Sequence, residues 1–213
     1  MNKLPALFAI AVAVSANVFA ADPKADALAR DARREADLCI AGKPDAEQHA
    51  KKSLELARAA IAADAASAQA HLSAAIAYGK LTDFVGMKTK FEYGKIVGEE
   101  ARRATELDPK EDFAWHVLGR WHHGLSEVSG VERALCKVVF GGLPPASYDE
   151  AVACFRKAIA IAPKRIIHHA ELARTLTAQK KTSLAAAEWQ QVLALPALDD
   201  EDRAYQQLAR AAL

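Results

Sequence analysis

The sequence predicts an all-α protein, a solenoid of stacked helix pairs, and three observations carry that prediction. Ala, Leu, Lys, Arg and Glu, all strong helix formers, run from one end of the 213 residues to the other, and strand signals are nearly absent. Gly and Pro gather at a few points, chiefly "GKP" at 42–44 and "FGGLPP" at 140–145. Finally, three segments align without gaps: "ARAAIAADAASAQAHLSAAIAYG" from Ala57, "ARRATELDPKEDFAWHVLGRWHH" from Ala101 and "FRKAIAIAPKRIIHHAELARTLT" from Phe155. Each reads as the end of one helix, a turn near Ala65, Pro109 or Pro163, and the start of the next, which is how a repeat of helix pairs looks in sequence.

The elements follow in order. Residues 1–20 carry a short cationic start, the apolar run "LPALFAIAVAVSA" and small residues before "AD", the pattern of a secretory signal peptide cleaved after Ala20. The expected location is therefore periplasmic or secreted, with residues 21–213 forming one soluble domain. Two helices, about Pro23 to Ala41 and Asp45 to Ala63, make a first pair without signature residues. From Ala57 onward the tetratricopeptide pattern appears: Trp115, Leu118 and Gly119 in an inner helix, Ala151, Phe155 and Pro163 in its partner, then His169, Leu172, Ala173 and Leu176, and then Ala185 and Trp189. Trp115, Leu118, Gly119, Ala151, Phe155 and Trp189 are expected to be packing residues. Extra length falls within 80–98 and 126–147. The second insertion should hold a short helix, Gly130 to Phe140, stopped by Gly141-Gly142. Ser147 with Glu150 offers a capping box for the helix after it. The polar "DDEDRAYQQLARAAL" reads as a C-terminal capping helix. The expected whole is three helix pairs, an inserted helix and this cap.

Charge and cysteine content narrow the function. The chain has 28 basic and 27 acidic side chains, and loss of Lys3 with the leader makes them equal. A neutral chain offers no global pull toward nucleic acid or a membrane surface. Cys39, Cys136 and Cys154 are too few for a disulfide scaffold; a Cys136–Cys154 bridge competes with a reading of all three as small buried helix residues.

Residues 108–124, "DPKEDFAWHVLGRWHHG", concentrate Trp, His and Arg. As a metal site the stretch is poorly spaced: His116 and His123 lie about 10.5 Å apart along a helix axis, and the adjacent pairs His122/His123 and His168/His169 point about 100° apart. A pairing between helices, such as His122 with His169, stays conceivable. Ser126 and Ser129 lack a G-x-S-x-G elbow, and "FGGLPP" lacks the phosphate-loop pattern. A metal-handling or hydrolytic enzyme built on the His-rich helix 113–123 is therefore the second reading. The first is a non-enzymatic module of the cell envelope that binds a peptide or protein on its concave face, with no cofactor. In tetratricopeptide arrays the groove-lining positions correspond here to Phe113, His116, Arg120 and His123, then to Ile167, Ala170, Arg174 and Thr177. Arg120 and Arg174 occupy the same repeat position, and two guanidinium groups beside an aromatic suit a carboxylate-bearing partner. Equally, Arg120 could pair with Glu127 or Glu132 and only fix the fold.

The segments "RRATELDP", "FAWHVLGRWHHGLSEVSGVERALCKVVFGGLPPASYDEAVACFRKAIAIAP" and "LALPALDDED" resemble the regulator of microtubule dynamics protein family over roughly Ala57 to Leu213. The resemblance rests on LGRW at 118–121, on VSG followed by Glu132-Arg133, and on GLPPAS. It implies a divergent tetratricopeptide-like interaction domain without catalytic residues. The animal members are intracellular and associated with microtubules or organelle membranes. This chain differs in its expected export signal and in having no membrane helix, so the resemblance implies a bacterial periplasmic type for which microtubule binding is not expected.

Overall fold

The computed structural model describes residues 22–40 and 42–213. The expected signal peptide and its cleavage point lie outside the described residues. Ten α-helices follow one another: α1 Pro23–Leu38, α2 Ala46–Ala63, α3 Ala68–Leu81, α4 Met87–Leu107, α5 Asp112–Glu127, α6 Gly130–Phe140, α7 Tyr148–Ile161, α8 Ile166–Ala178, α9 Thr182–Ala194 and α10 Asp200–Ala212. A single 3-10 turn, Thr82–Phe84, precedes α4. Among the described residues there is no strand, and no helix is long and apolar enough to cross a membrane.

The helices pack as antiparallel pairs α1/α2, α3/α4, α5/α7 and α8/α9, with α10 laid on α8 and α9. The solenoid thus has four pairs where three were expected. The first pair, which lacks the repeat signature, is closed instead by alanine. Ala25, Ala29, Ala32 and Ala36 bury one stripe of α1, and Ala46, Ala50, Ser53, Ala57 and Ala60 one stripe of α2. Each set recurs at three- and four-residue steps, so a single helix face carries it.

Both insertions fall inside helix pairs, as their positions predict. The first becomes the 3-10 turn and the early turns of a 21-residue α4. The second becomes α6, at the boundaries predicted. Ser129 and Glu132 close a reciprocal capping box at its start, and Gly141 adopts a left-handed φ of 78° at its end. Ser147 also caps α7, its hydroxyl accepting from the Glu150 backbone N–H. All three cysteines are free; Cys154 is buried and its thiol pKa is pushed up to about 11 by burial.

Candidate functional site

The three aligned turns share one device. His71, Trp115 and His169 stand at equivalent positions, and each aims a ring nitrogen at the backbone carbonyl six residues earlier: His71 Nε2 at Ala65 (3.0 Å), Trp115 Nε1 at Pro109 (3.0 Å), His169 Nε2 at Pro163 (3.1 Å). The outer helix that follows then grips the same ring. Glu100 meets His71 Nδ1 at 2.5 Å, Glu188 meets His169 Nδ1 at 2.7 Å, and Lys157 sits 3.8 Å over the Trp115 indole. A carbonyl and a carboxylate only accept, so His71 and His169 satisfy both contacts at once only when both ring nitrogens carry protons. The hydrogen bond from His71 Nδ1 to the Glu100 carboxylate raises the His71 pKa, with burial opposing it. For His169 burial pulls the pKa down, but Glu188 and the Pro163 carbonyl outweigh it and the net shift is upward. Trp115 itself is half-buried, where full burial was expected, because its indole N–H must reach the turn and its face carries Lys157.

Among the eight expected groove positions, the five that carry aromatic, histidine or arginine side chains separate into two groups. Arg120 and Arg174 are exposed and Phe113 is half-buried, whereas His116 and His123 are 1% and 8% exposed. Positions 116 and 123 are two helical turns apart on one flank of α5, and that flank faces the neighbouring inner helix α8. His116 meets His168 there and His123 Nδ1 donates to the Thr175 hydroxyl at 2.9 Å, the contacts again two turns apart. The histidines therefore join inner helices to each other. The suggested His122–His169 pairing does not form; His122 packs on Trp121 and faces Glu150 at 3.4 Å.

A buried chain of polar groups runs between α5 and α8. Asp112 Oδ2 lies 2.8 Å from His168 Nε2, and His168 Nδ1 lies 3.0 Å from His116 Nδ1. Burial lowers both histidine pKa values, strongly for His116, where His168, Arg120 and Arg165 add to the effect; Asp112 resists the fall at His168. With both rings neutral, His168 donates from Nε2 to Asp112 and accepts at Nδ1 from His116. That leaves His116 Nε2 as a buried lone pair without a partner, walled by a stacked Phe113 and the edge of Phe155. Among the described residues no group of three or more His, Cys, Asp or Glu is arranged to hold a metal ion.

The arginines face the capping helix. Glu127, one candidate partner for Arg120, lies 3.2 Å from His123, and the other, Glu132, is held in the α6 capping box. Arg174 pairs with the buried Glu171 one turn away at 3.0 Å. Tyr205 on α10 is pushed up to about 12, mainly by burial and by Glu171 and Glu201, with Arg120 and Arg174 both opposing. Burial also raises Glu201, against which Lys80 and Arg120 act. The helix α10 packs on α9 and α8, and the charges of Arg120 and Arg174 are felt at its Tyr205.

The family described as Regulator of microtubule dynamics protein 1-3 matches residues 12–213. The chain belongs to this family. Regulator of microtubule dynamics protein 1 of Bos taurus is 31% identical over 136 residues, covering 64% of this chain and 43% of that protein. Regulator of microtubule dynamics protein 2 of Homo sapiens is 31% identical over 93 residues, 44% of this chain and 23% of that one. This member spans less than half the length of the curated relatives it matches. Among solved structures, a thermophilic TPR protein of Thermus thermophilus superposes with a TM-score of 0.64 at 16% identity, over 89% of this chain and 82% of that one. MamA does so with 0.53 at 15% identity, over 88% and 84%. These likenesses establish the tetratricopeptide-type fold.

Two contributions to the family fold escaped the sequence reading. Trp121 donates its indole N–H to the Gly94 carbonyl at 2.6 Å, and a Cβ at Gly98 would sit inside its ring. The four-residue glycine spacing in "YGKIVG" was the available signal, since it opens one helix face to a large ring. The second is α10, whose polar composition reads as a simple end cap and hides the approach of Tyr205 and Glu201 to the arginines.

Proposed function

We propose that this family member is a non-enzymatic binding module of the cell envelope that takes an acidic segment of a protein partner on its concave face. The observation that carries the proposal is the pair of exposed guanidinium groups, Arg120 and Arg174, at equivalent positions of successive inner helices and both bearing on Tyr205. A carboxylate placed between them would gain charge-assisted hydrogen bonds from two forks. Phe113, half-buried two helical turns before Arg120 on α5, offers apolar contact to an extended ligand.

The histidine-rich helix supports this reading better than an enzymatic one, because its histidines are engaged in packing contacts. The export signal read in residues 1–20 supports a location in the periplasm or outside the cell, which is why microtubule binding, the activity its relatives are named for, is not proposed for it. The test is affinity capture from the native envelope fraction with the wild type and with Arg120→Ala/Arg174→Ala. The same partner should be retained by the first and lost by the second at unchanged helicity. Equal retention by both would remove the arginines from the site, and stoichiometric zinc or copper in untagged protein would revive the metal reading.

A further inference from the structure

The inserted helix α6 is built inside out. None of its eleven residues is buried, yet Val131, Leu135, Val138 and Val139 are 83%, 61%, 85% and 56% exposed. Their spacing, i, i+4, i+7 and i+8, puts all four on one face, and that face is the solvent side. The opposite side makes the few contacts that hold α6 to the body: Phe140 stacks on Phe91 of α4 at 4.6 Å, and Arg133 donates to the Leu125 carbonyl at 2.7 Å. The capping box and the left-handed Gly141 fix both ends, so the apolar stripe is presented by a well-formed helix.

Charge decides what such a face would meet. Arg133 and Lys137 lie on α6. Across the Phe91–Phe140 stack, Lys95 holds its ammonium 4.5 Å over the Phe91 ring, and Lys88 and Lys90 are exposed beside Met87, itself 73% exposed. Two acids accompany these five cations, Glu92 and Glu132, and the Glu132 carboxylate is turned back onto the Ser129 backbone and hydroxyl. The local excess stands out in a chain whose net charge is +1. Four aliphatic side chains on one short helix are also far fewer than the roughly 20 residues per side of a stable protein interface. An apolar stripe with exposed lysines near it is instead the composition of a helix that lies in the interface of an anionic membrane, its lysine stems reaching up to the headgroups.

We infer that α6, with the first turns of α4, docks reversibly on an anionic bilayer surface, the four aliphatic side chains entering the acyl boundary and the exposed Lys88, Lys90 and Lys137 meeting lipid phosphates. At 11 residues, or about 16 Å, the helix lies flat and does not span. The site is separate from the arginine groove, so a partner can be held while the module is on a membrane.

The test is co-sedimentation of the full chain with phosphatidylcholine vesicles containing none or about a third phosphatidylglycerol, at low and high salt. Binding should require the anionic lipid and weaken with salt. Leu135→Glu/Val138→Glu should reduce partitioning at least tenfold with an unchanged melting temperature, because neither residue is buried. Lys88→Gln/Lys137→Gln should reduce it several-fold through the loss of two near-surface cations. Equal partitioning on neutral vesicles, or unaltered binding by the Leu135→Glu/Val138→Glu variant, would overturn the inference. So would a dimer in sedimentation equilibrium that this variant abolishes in the absence of any vesicle binding, which would give the face to a second copy.

Discussion

Between α1 and α3 the helices touch through alanine; between α5 and α9 they touch through Phe, Trp and His. In the first region Ala32, Ala57 and Ala74 form one cluster and Ala29, Ala60 and Ala70 another. The backbones come close enough for Ser53 and Ser73 to donate to the carbonyls of Ala32 and Ala29. In the second region Phe155, Leu172 and Leu176 fill one cluster and Ile166, Trp189 and Val192 another. Small side chains gain little from transfer out of water but permit close approach; large ones gain more and need a shaped socket. The two regions should therefore fail in opposite ways, the first by growth and the second by loss of volume.

The largest expected effect is Phe155→Ala, which empties a fully buried site and should cost about 3–5 kcal/mol in chemical denaturation. Growth should cost about 1–3 kcal/mol in either region. Gly119→Leu would meet Phe155, since even a Cβ there comes within 2.8 Å of its ring, and Ala57→Leu has no space between Ala32 and Ala74. An unchanged melting temperature for Gly119→Leu would break the repeat alignment itself. Shrinkage in the alanine region is milder: Ala57→Gly should cost about 1 kcal/mol, from helix propensity more than from lost contact. A cost matching that of Phe155→Ala would erase the contrast.

Acidity should separate the histidines. His71 and His169 have raised pKa values, so their stabilisation is complete below the usual value of 6.5 and is lost as pH rises through the higher folded-state values. His116 and His168 have lowered values, so their contribution is present above 6.5 and is lost as pH falls through the lower ones. Melting temperature against pH should therefore fall on both sides, and His71→Phe/His169→Phe should flatten the alkaline limb alone. The smallest effect on the melting temperature belongs to Gly141→Ala, which strains a φ of 78° by roughly 1–2 kcal/mol within α6 alone. Because α6 buries nothing, hydrogen exchange should quicken in that helix while the melting temperature of the body stays nearly constant.

The turns and caps were readable because each is local. Ser147, Gly141, Pro109 and Pro163 act on their own neighbours, and the gapless alignment put His71, Trp115 and His169 in one slot before their shared contact was visible. The orientation of His116 and His123 was not readable, since it depends on how far α8 is rotated against α5, a relation that no spacing within α5 encodes. The first pair carries no signature because alanine stripes are legible only as helix. The approach of α10 to Arg120 and Arg174 joins residues more than 25 positions apart, with nothing in the composition of either to announce it.

The turn device also sets a mechanical order along the chain. Two of its three instances hold by a charge that the surroundings can remove, and the middle one holds by an indole N–H that does not titrate. As pH rises, the turns on either side would each lose one charge-assisted hydrogen bond to a ring nitrogen, while the central turn kept its indole hydrogen bond to Pro109.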